Sequence, residues 1–211
     1  RPYERPGAFA ELITVPDTNI YDVPDKLDIK EAAVAEPTAV SLHAVLMAEN
    51  SSKKHLGECR TLVQGAGAIG LLCSLILSKI KGNLDITISD PNNLRLKECS
   101  KYVDAKFVGP SDKDVKPDSF DLVFDTVGLE VSRQQAISVV KPGGTIIHIG
   151  LTQPAGEFNF RKATLQEITF IGTYCYTNED FRQTIQILAN KDIGNLDWIE
   201  YRDLKKGSEA F

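Results

Sequence analysis

Six residues, Gly65-Ala66-Gly67-Ala68-Ile69-Gly70, constrain this chain more than any others. They follow a short apolar run, Thr61-Leu62-Val63-Gln64, that reads as a strand. They open a stretch in which Ile69, Leu72, Cys73, Ile76, Leu77 and Ile80 recur on one helical face. A strand that turns straight into a helix uses its glycines for separate purposes. The first allows the tight bend, the second lets a ligand approach the backbone, and the third lets the helix pack close. Leu84 to Ser89 reads as the next strand, and Asp90 ends it, twenty residues past Gly70. A lone GxGxxG says little, because a glycine-rich turn also serves a core with no ligand. Strand, bend, helix, strand and acid in this order form the dinucleotide fingerprint. The helix N-terminus offers N–H groups and a positive dipole end to phosphates. A carboxylate at Asp90 accepts from ribose hydroxyls and repels a 2′-phosphate, which points to NAD(H) rather than NADP(H). The same acid can cap the segment from Asn92 onward. Arg95, one helical turn further, can reach the ribose or pair with Asp90.

The alternation continues. Residues 92–102 read as a helix, 106–108 and 120–124 as strands, and 132–140 as a helix stopped by Pro142-Gly143-Gly144. Strands follow at 145–149 and 168–171. Thr177-Asn178-Glu179-Asp180 is a capping-box pattern, opening a helix with the face Phe181, Ile185, Leu188, Ala189. Strands alternating with helices imply an α/β fold, a doubly wound parallel sheet with helices on both faces. Phe124-Asp125-Thr126-Val127-Gly128 then ends the strand beside the first one, at the switch point. Asp125 is expected as a buried partner of backbone amides, and His148 as a hydrogen-bonded core histidine. Before this region, residues 9–15 alternate like a strand closed by Pro16. Glu31 to Glu36 is helix-prone but interrupted by Pro37, and a helix is expected over 38–49.

Composition narrows the function classes. Lys and Arg number 24 against 29 Asp and Glu, so the net charge is −5 and gives no basic footprint for nucleic acid. Four cysteines are too sparse for a disulfide framework, and none has metal-ligand spacing. A reducing cytoplasmic location is the simplest expectation. Leu62 to Ile80 imitates a membrane span, but its glycines and the acid downstream give a better account. The chain opens on Arg1 and its only methionine is Met47, so a fragment is expected.

Several segments together carry a resemblance. They are Gly7-Ala8-Phe9-Ala10-Glu11, Ala35 to Val45 with its Glu36-Pro37, Gln64 to Gly70, Asp125 to Gly128, Lys141 to Gly144, and Gly172-Thr173-Tyr174-Cys175-Tyr176. In this order the chain resembles the zinc-dependent medium-chain alcohol dehydrogenase family, particularly its sorbitol (polyol) dehydrogenase-like branch. The resemblance implies a Rossmann NAD-binding domain at 41–176. It implies remnants of a GroES-like, β-rich catalytic domain at 1–40, and a helix and return segment toward that domain at 177–211. The family's main zinc ligands would precede residue 1. Glu36 would sit at the fourth zinc position, bound directly or through water; read from the residues alone, it is an acid favoured by a helix dipole. His43 is expected to pack rather than ligate. Val40 would lie near the nicotinamide, the Ile69 N–H at the diphosphate, and Arg95 at the adenosine ribose. Thr126, Val127, Ile149, Leu151, Thr173 and Cys175 would line the nicotinamide half. With Gly65, Gly67, Gly70 and Asp90 these are the candidate cofactor-binding residues. The implied activity is NAD-dependent, zinc-assisted oxidation of a secondary alcohol or polyol by a homo-oligomer, with this portion alone inactive. Two alternatives stand beside it: a zinc-free quinone or enoyl reductase of the same superfamily, and a catalytically silent NAD-binding module.

Overall fold

Neighbouring residues on three central strands belong to different cores, and this explains why those strands carry apolar runs. In the computed structural model, which describes residues 7, 8 and 10–210, six strands form one parallel sheet. They are β1 (Thr61–Gln64), β2 (Ile86–Ser89), β3 (Lys106–Val108), β4 (Phe120–Asp125), β5 (Val140–His148) and β6 (Thr169–Gly172). Their spatial order is β3-β2-β1-β4-β5-β6, the doubly wound arrangement, with the order reversing between β1 and β4. Val63, Phe124 and Ile147 enter one core with α2 (Ala35–Ser51), α3 (Ala68–Leu75), α4 (Asn93–Cys99) and α7 (Asn178–Asn190). Leu62, Val123 and Ile146 enter a second core with α5 (Glu130–Val139) and α6 (Phe160–Leu165). Both faces of the sheet are therefore dry along β1, β4 and β5, as suits the centre of a parallel sheet.

Residues 62–80, which imitate a membrane span, divide into β1, the glycine bend, α3 and a π-helical turn at Ile76–Ile80. No helix among the described residues is long and apolar enough to cross a membrane.

Three expectations need correction, and one helix stands where none is expected. Pro37 does not interrupt a helix: α2 starts at Ala35 and places the proline in its first turn, where a missing N–H costs nothing. The strand expected at 9–15 does not form over the described residues 10–15, and Phe9 lies outside them. With no strand to pair with there, Leu12 is 90% exposed. Helix α6 was not expected; Asn159 caps it by accepting from the Lys162 N–H. The Pro142-Gly143-Gly144 stop belongs to β5 itself, whose register against β4 shifts between Phe120 and Leu122.

Candidate functional site

At the carboxyl end of the sheet, one residue beyond each of three strands, the ladder hydrogen bonds continue. Thr126 N–H donates to the Gln64 carbonyl, Ile149 N–H to Asp125, and Thr173 N–H to His148. Gly65 N–H donates to Ser89 and Asp90 N–H to Val108. Gly65, Asp90, Thr126, Ile149 and Thr173, which are expected around the cofactor, thus form one row along one edge.

The bend after β1 is fixed by contact distances. Gly65 has φ +98°, and a Cβ there would stand 2.6 Å from Thr126 Oγ1. A Cβ on Gly70 would lie 1.9 Å from the Gly65 carbonyl oxygen, so only glycine lets α3 sit this close to β1. Gly67 is different. It is the exposed N-cap of α3, makes no side-chain cap, and has nothing within 4 Å of where a Cβ would be. The first-turn amides of α3, including that of half-buried Ile69, therefore start from an open approach. This cradle fits a diphosphate: open at Gly67, closed behind by Gly65 and Gly70.

Asp90 is 4% exposed and stands behind the bend. Its Oδ2 accepts the Ala66 N–H at 2.8 Å and its Oδ1 the Asn92 N–H at 2.7 Å. The cap of α4 is Asn92, whose side chain accepts from Leu94 and Arg95. Each Asp90 oxygen keeps a lone pair for a further donor. The Ala66 carbonyl in turn accepts from the Cys99 thiol at 3.4 Å. Burial first, and then the Asp90 carboxylate, push that thiol up to about 11, so it stays a neutral donor. Ala66 is thereby held at both ends. Arg95 is exposed and makes no ion pair among the described residues, with Asp90 or any other acid.

At the switch point Asp125 is fully buried and takes the structural role expected. Its Oδ1 accepts from the Val127 and Gly128 amides at 3.0 and 2.9 Å, and its Oδ2 from Ser132 Oγ at 3.1 Å. The turn it holds is packed tightly: a Cβ on Gly128 would stand 2.1 Å from the Gly150 backbone. His148 departs from expectation. It is half-buried against Phe170, its Nε2 is 3.6 Å from Asp125 Oδ2, and that nitrogen has no hydrogen-bond partner. Asp125 takes three other donors, and its Oδ2 stands just beyond hydrogen-bond distance of His148 Nε2. Gln64 and Ser132 were missed as site-builders. Gln64 Nε2 donates to the Ser132 carbonyl and to Gln135, tying β1 to α5. A buried polar residue closing an apolar strand was the available signal.

The other end of the row is looser. Leu151 is 76% exposed, and Cys175 is an exposed free thiol in left-handed backbone, φ +55°. Val127 and Thr173 are half-buried, and the Thr173 hydroxyl finds no partner. Val40 is half-buried on α2, one turn beyond Glu36, which is exposed in the first turn. In the loop after β6, burial first, and then the Glu36 carboxylate of α2, raise the Tyr176 hydroxyl. His43 packs as expected, half-buried beside Asp180. No group of three or more His, Cys, Asp or Glu that could hold a metal comes together among the described residues. Glu36 alone does not fit a zinc ion.

Residues 68–190, more than half of the chain, match the family model described as zinc-binding dehydrogenase. The chain belongs to this family. As a zinc-binding dehydrogenase relative it is 28% identical over 205 residues to the D-xylulose reductase of Saccharomyces cerevisiae, covering 91% of this chain and 56% of that protein. Among solved structures it resembles the L-idonate 5-dehydrogenase of Escherichia coli, with TM-score 0.71, 26% identity, and 82% of this chain against 49% of that one. The 2R,3R-butanediol dehydrogenase of Bacillus subtilis is similar, with TM-score 0.68, 26% identity, and 81% against 49%. The chain spans about half the length of the curated relatives it matches.

Proposed function

We propose that this chain is the NAD-binding portion of an NAD-dependent, zinc-assisted dehydrogenase that oxidises a small secondary alcohol or polyol. The observation that carries the reading is the glycine cradle, open at Gly67 and backed by the carboxylate of Asp90. The relatives named for xylulose, idonate and butanediol support the substrate class.

When bound, the coenzyme supplies a nicotinamide that accepts hydride from the alcohol carbon. The chain's own residues do the rest. The amides of Gly67 to Ile69 hold the diphosphate, with Gly65 and Gly70 shaping the bend. Asp90 accepts from the adenosine ribose, and Arg95 has a free guanidinium to add there. Val127, held by Asp125, with Thr126, Ile149, Leu151, Thr173, Cys175 and Val40, shapes the space for the nicotinamide and limits water. Glu36 opens onto the same end of the site. It would join a zinc ion only with donors from outside these residues.

The same reading assigns 41–176 to the NAD-binding domain and 1–40 and 177–211 to the catalytic domain and its return segment. A homo-oligomer is supported by β6, which ends the sheet with Phe170 43% exposed and with exposed Leu151 and Phe160 lining the groove beside it. A reducing, cytoplasmic setting is supported by four free cysteines, Cys175 exposed among them.

The test is a spectrophotometric assay of the whole protein with NAD and small polyols, before and after chelation. NADH formation that chelation abolishes is expected. Undiminished activity after the metal is stripped, or NADPH-linked reduction of quinones or enoyl compounds in its place, would overturn the reading.

A further inference from the structure

His43 lies in the middle of α2, takes no hydrogen bond from the glycine cradle, and has no part in the function proposed above. Its Nδ1 lies 2.9 Å from Asp180 Oδ2, across 137 residues of sequence. Asp180 is 7% exposed and is the third residue of α7. Burial alone would raise its carboxyl, but the hydrogen bonds from Thr177 and His43 outweigh that and hold it below the usual carboxylate range. An ionised carboxylate only accepts, so His43 donates from Nδ1.

The same Oδ2 accepts the Thr177 N–H and the Thr177 hydroxyl, each at 2.8 Å, while the Asp180 N–H donates back to Thr177 Oγ1. This capping box fixes the end of the four-residue loop Thr173 to Tyr176. The loop's beginning is fixed to the sheet by Thr173 N–H on the His148 carbonyl. Between these anchors Cys175 holds left-handed backbone, which a non-glycine residue adopts at a cost. The loop is thus tied at both ends. The second tie is in turn fastened by His43 to α2, the helix that carries Glu36 and Val40.

We propose that His43 is a positioning residue: its hydrogen bond to Asp180 sets the Thr173–Tyr176 loop against the first turns of α2 and so shapes the nicotinamide end of the site. This rests on the NAD-binding reading. His43 touches no coenzyme; it acts through Asp180 and Thr177. The adenylate end, built on Gly67 and Asp90, shares none of these ties.

The experiment exploits that separation. An Asn amide nitrogen occupies roughly the place of His Nδ1, whereas a Gln amide nitrogen reaches toward that of Nε2. His43→Asn and His43→Gln are therefore both polar and differ mainly in whether the Asp180 contact survives. Calorimetric affinities for NADH and for ADP-ribose, which lacks the nicotinamide, are measured on this chain and both variants. Near-UV circular dichroism checks that each is folded. The wild type should bind NADH more tightly than ADP-ribose. His43→Asn should keep that ratio, and His43→Gln should reduce it about tenfold with ADP-ribose affinity unchanged. Equal ratios in the two variants, or a parallel loss for both ligands, would overturn the proposal. A wild type that binds neither ligand would instead sink the NAD-binding reading, before any variant is made.

Discussion

The two ends of the candidate site are built differently. At the adenylate end, the bend is fixed by backbone against backbone, the Gly70 position against the Gly65 carbonyl, and by a buried acid holding a backbone amide. At the nicotinamide end, exposed Leu151 and Cys175 stand on loops, and hydrogen bonds anchor the loop after β6 at each end. The first end is determined by what will not fit. The second is determined by what happens to be tied, and it leaves room for a substrate domain to complete it.

That contrast can be broken or sharpened by substitution. The largest effect is expected at Gly70→Ala: a methyl 1.9 Å from a carbonyl oxygen forces α3 off β1. Loss of about 3 kcal/mol or more should appear in urea unfolding. A small change would mean the helix slides freely and the bend is not sterically fixed. Next comes Asp125→Ala, which leaves the Val127 and Gly128 amides without their acceptor inside the protein and takes one of two acceptors from the Ser132 hydroxyl, which keeps the Leu129 carbonyl. About 2–3 kcal/mol should be lost in the same assay. Gly67→Ala should separate binding from folding. With empty space around the new methyl and an ordinary φ of −81°, stability should hold within about 0.5 kcal/mol. NADH affinity should nevertheless fall about tenfold, or about 1.4 kcal/mol, because the methyl stands where the diphosphate approaches. Unchanged affinity would show that nothing approaches there. The smallest effect belongs to the other end. Cys175→Gly relieves left-handed backbone at φ +55° and should raise the thermal midpoint modestly, a gain below about 1 kcal/mol. A loss would mean the thiol makes a contact that outweighs the strain.

The same contrast decides what was legible in the sequence. Gly65 and Gly70 are readable because steric need leaves no other residue type there, Gly67 and Asp90 because a diphosphate asks for open backbone and a ribose for an acceptor at that spacing, and the parallel sheet follows from the alternation around them. The α5 face of the sheet end is less readable. Gln64, Asp125 and His148 share a row only once β1, β4 and β5 are in register, so nothing local shows that Asp125 binds three other donors while His148 Nε2 goes without a partner. Helix α6 escaped because its six residues are too few to establish a period. The strand expected at 9–15 shows the reverse failure: a good alternating pattern forms no ladder without a neighbour. Leu151 and Cys175 could be reached by resemblance alone, since loops carry no periodicity.

The central claim is that the bend between β1 and α3 holds a diphosphate while Asp90 selects the unphosphorylated ribose. Isothermal titration of this chain with NADH and with NADPH tests it most directly. NADH should bind, at least about tenfold more tightly than NADPH, because a 2′-phosphate would meet a buried carboxylate. Tighter binding of NADPH, or no heat with either, would contradict the claim.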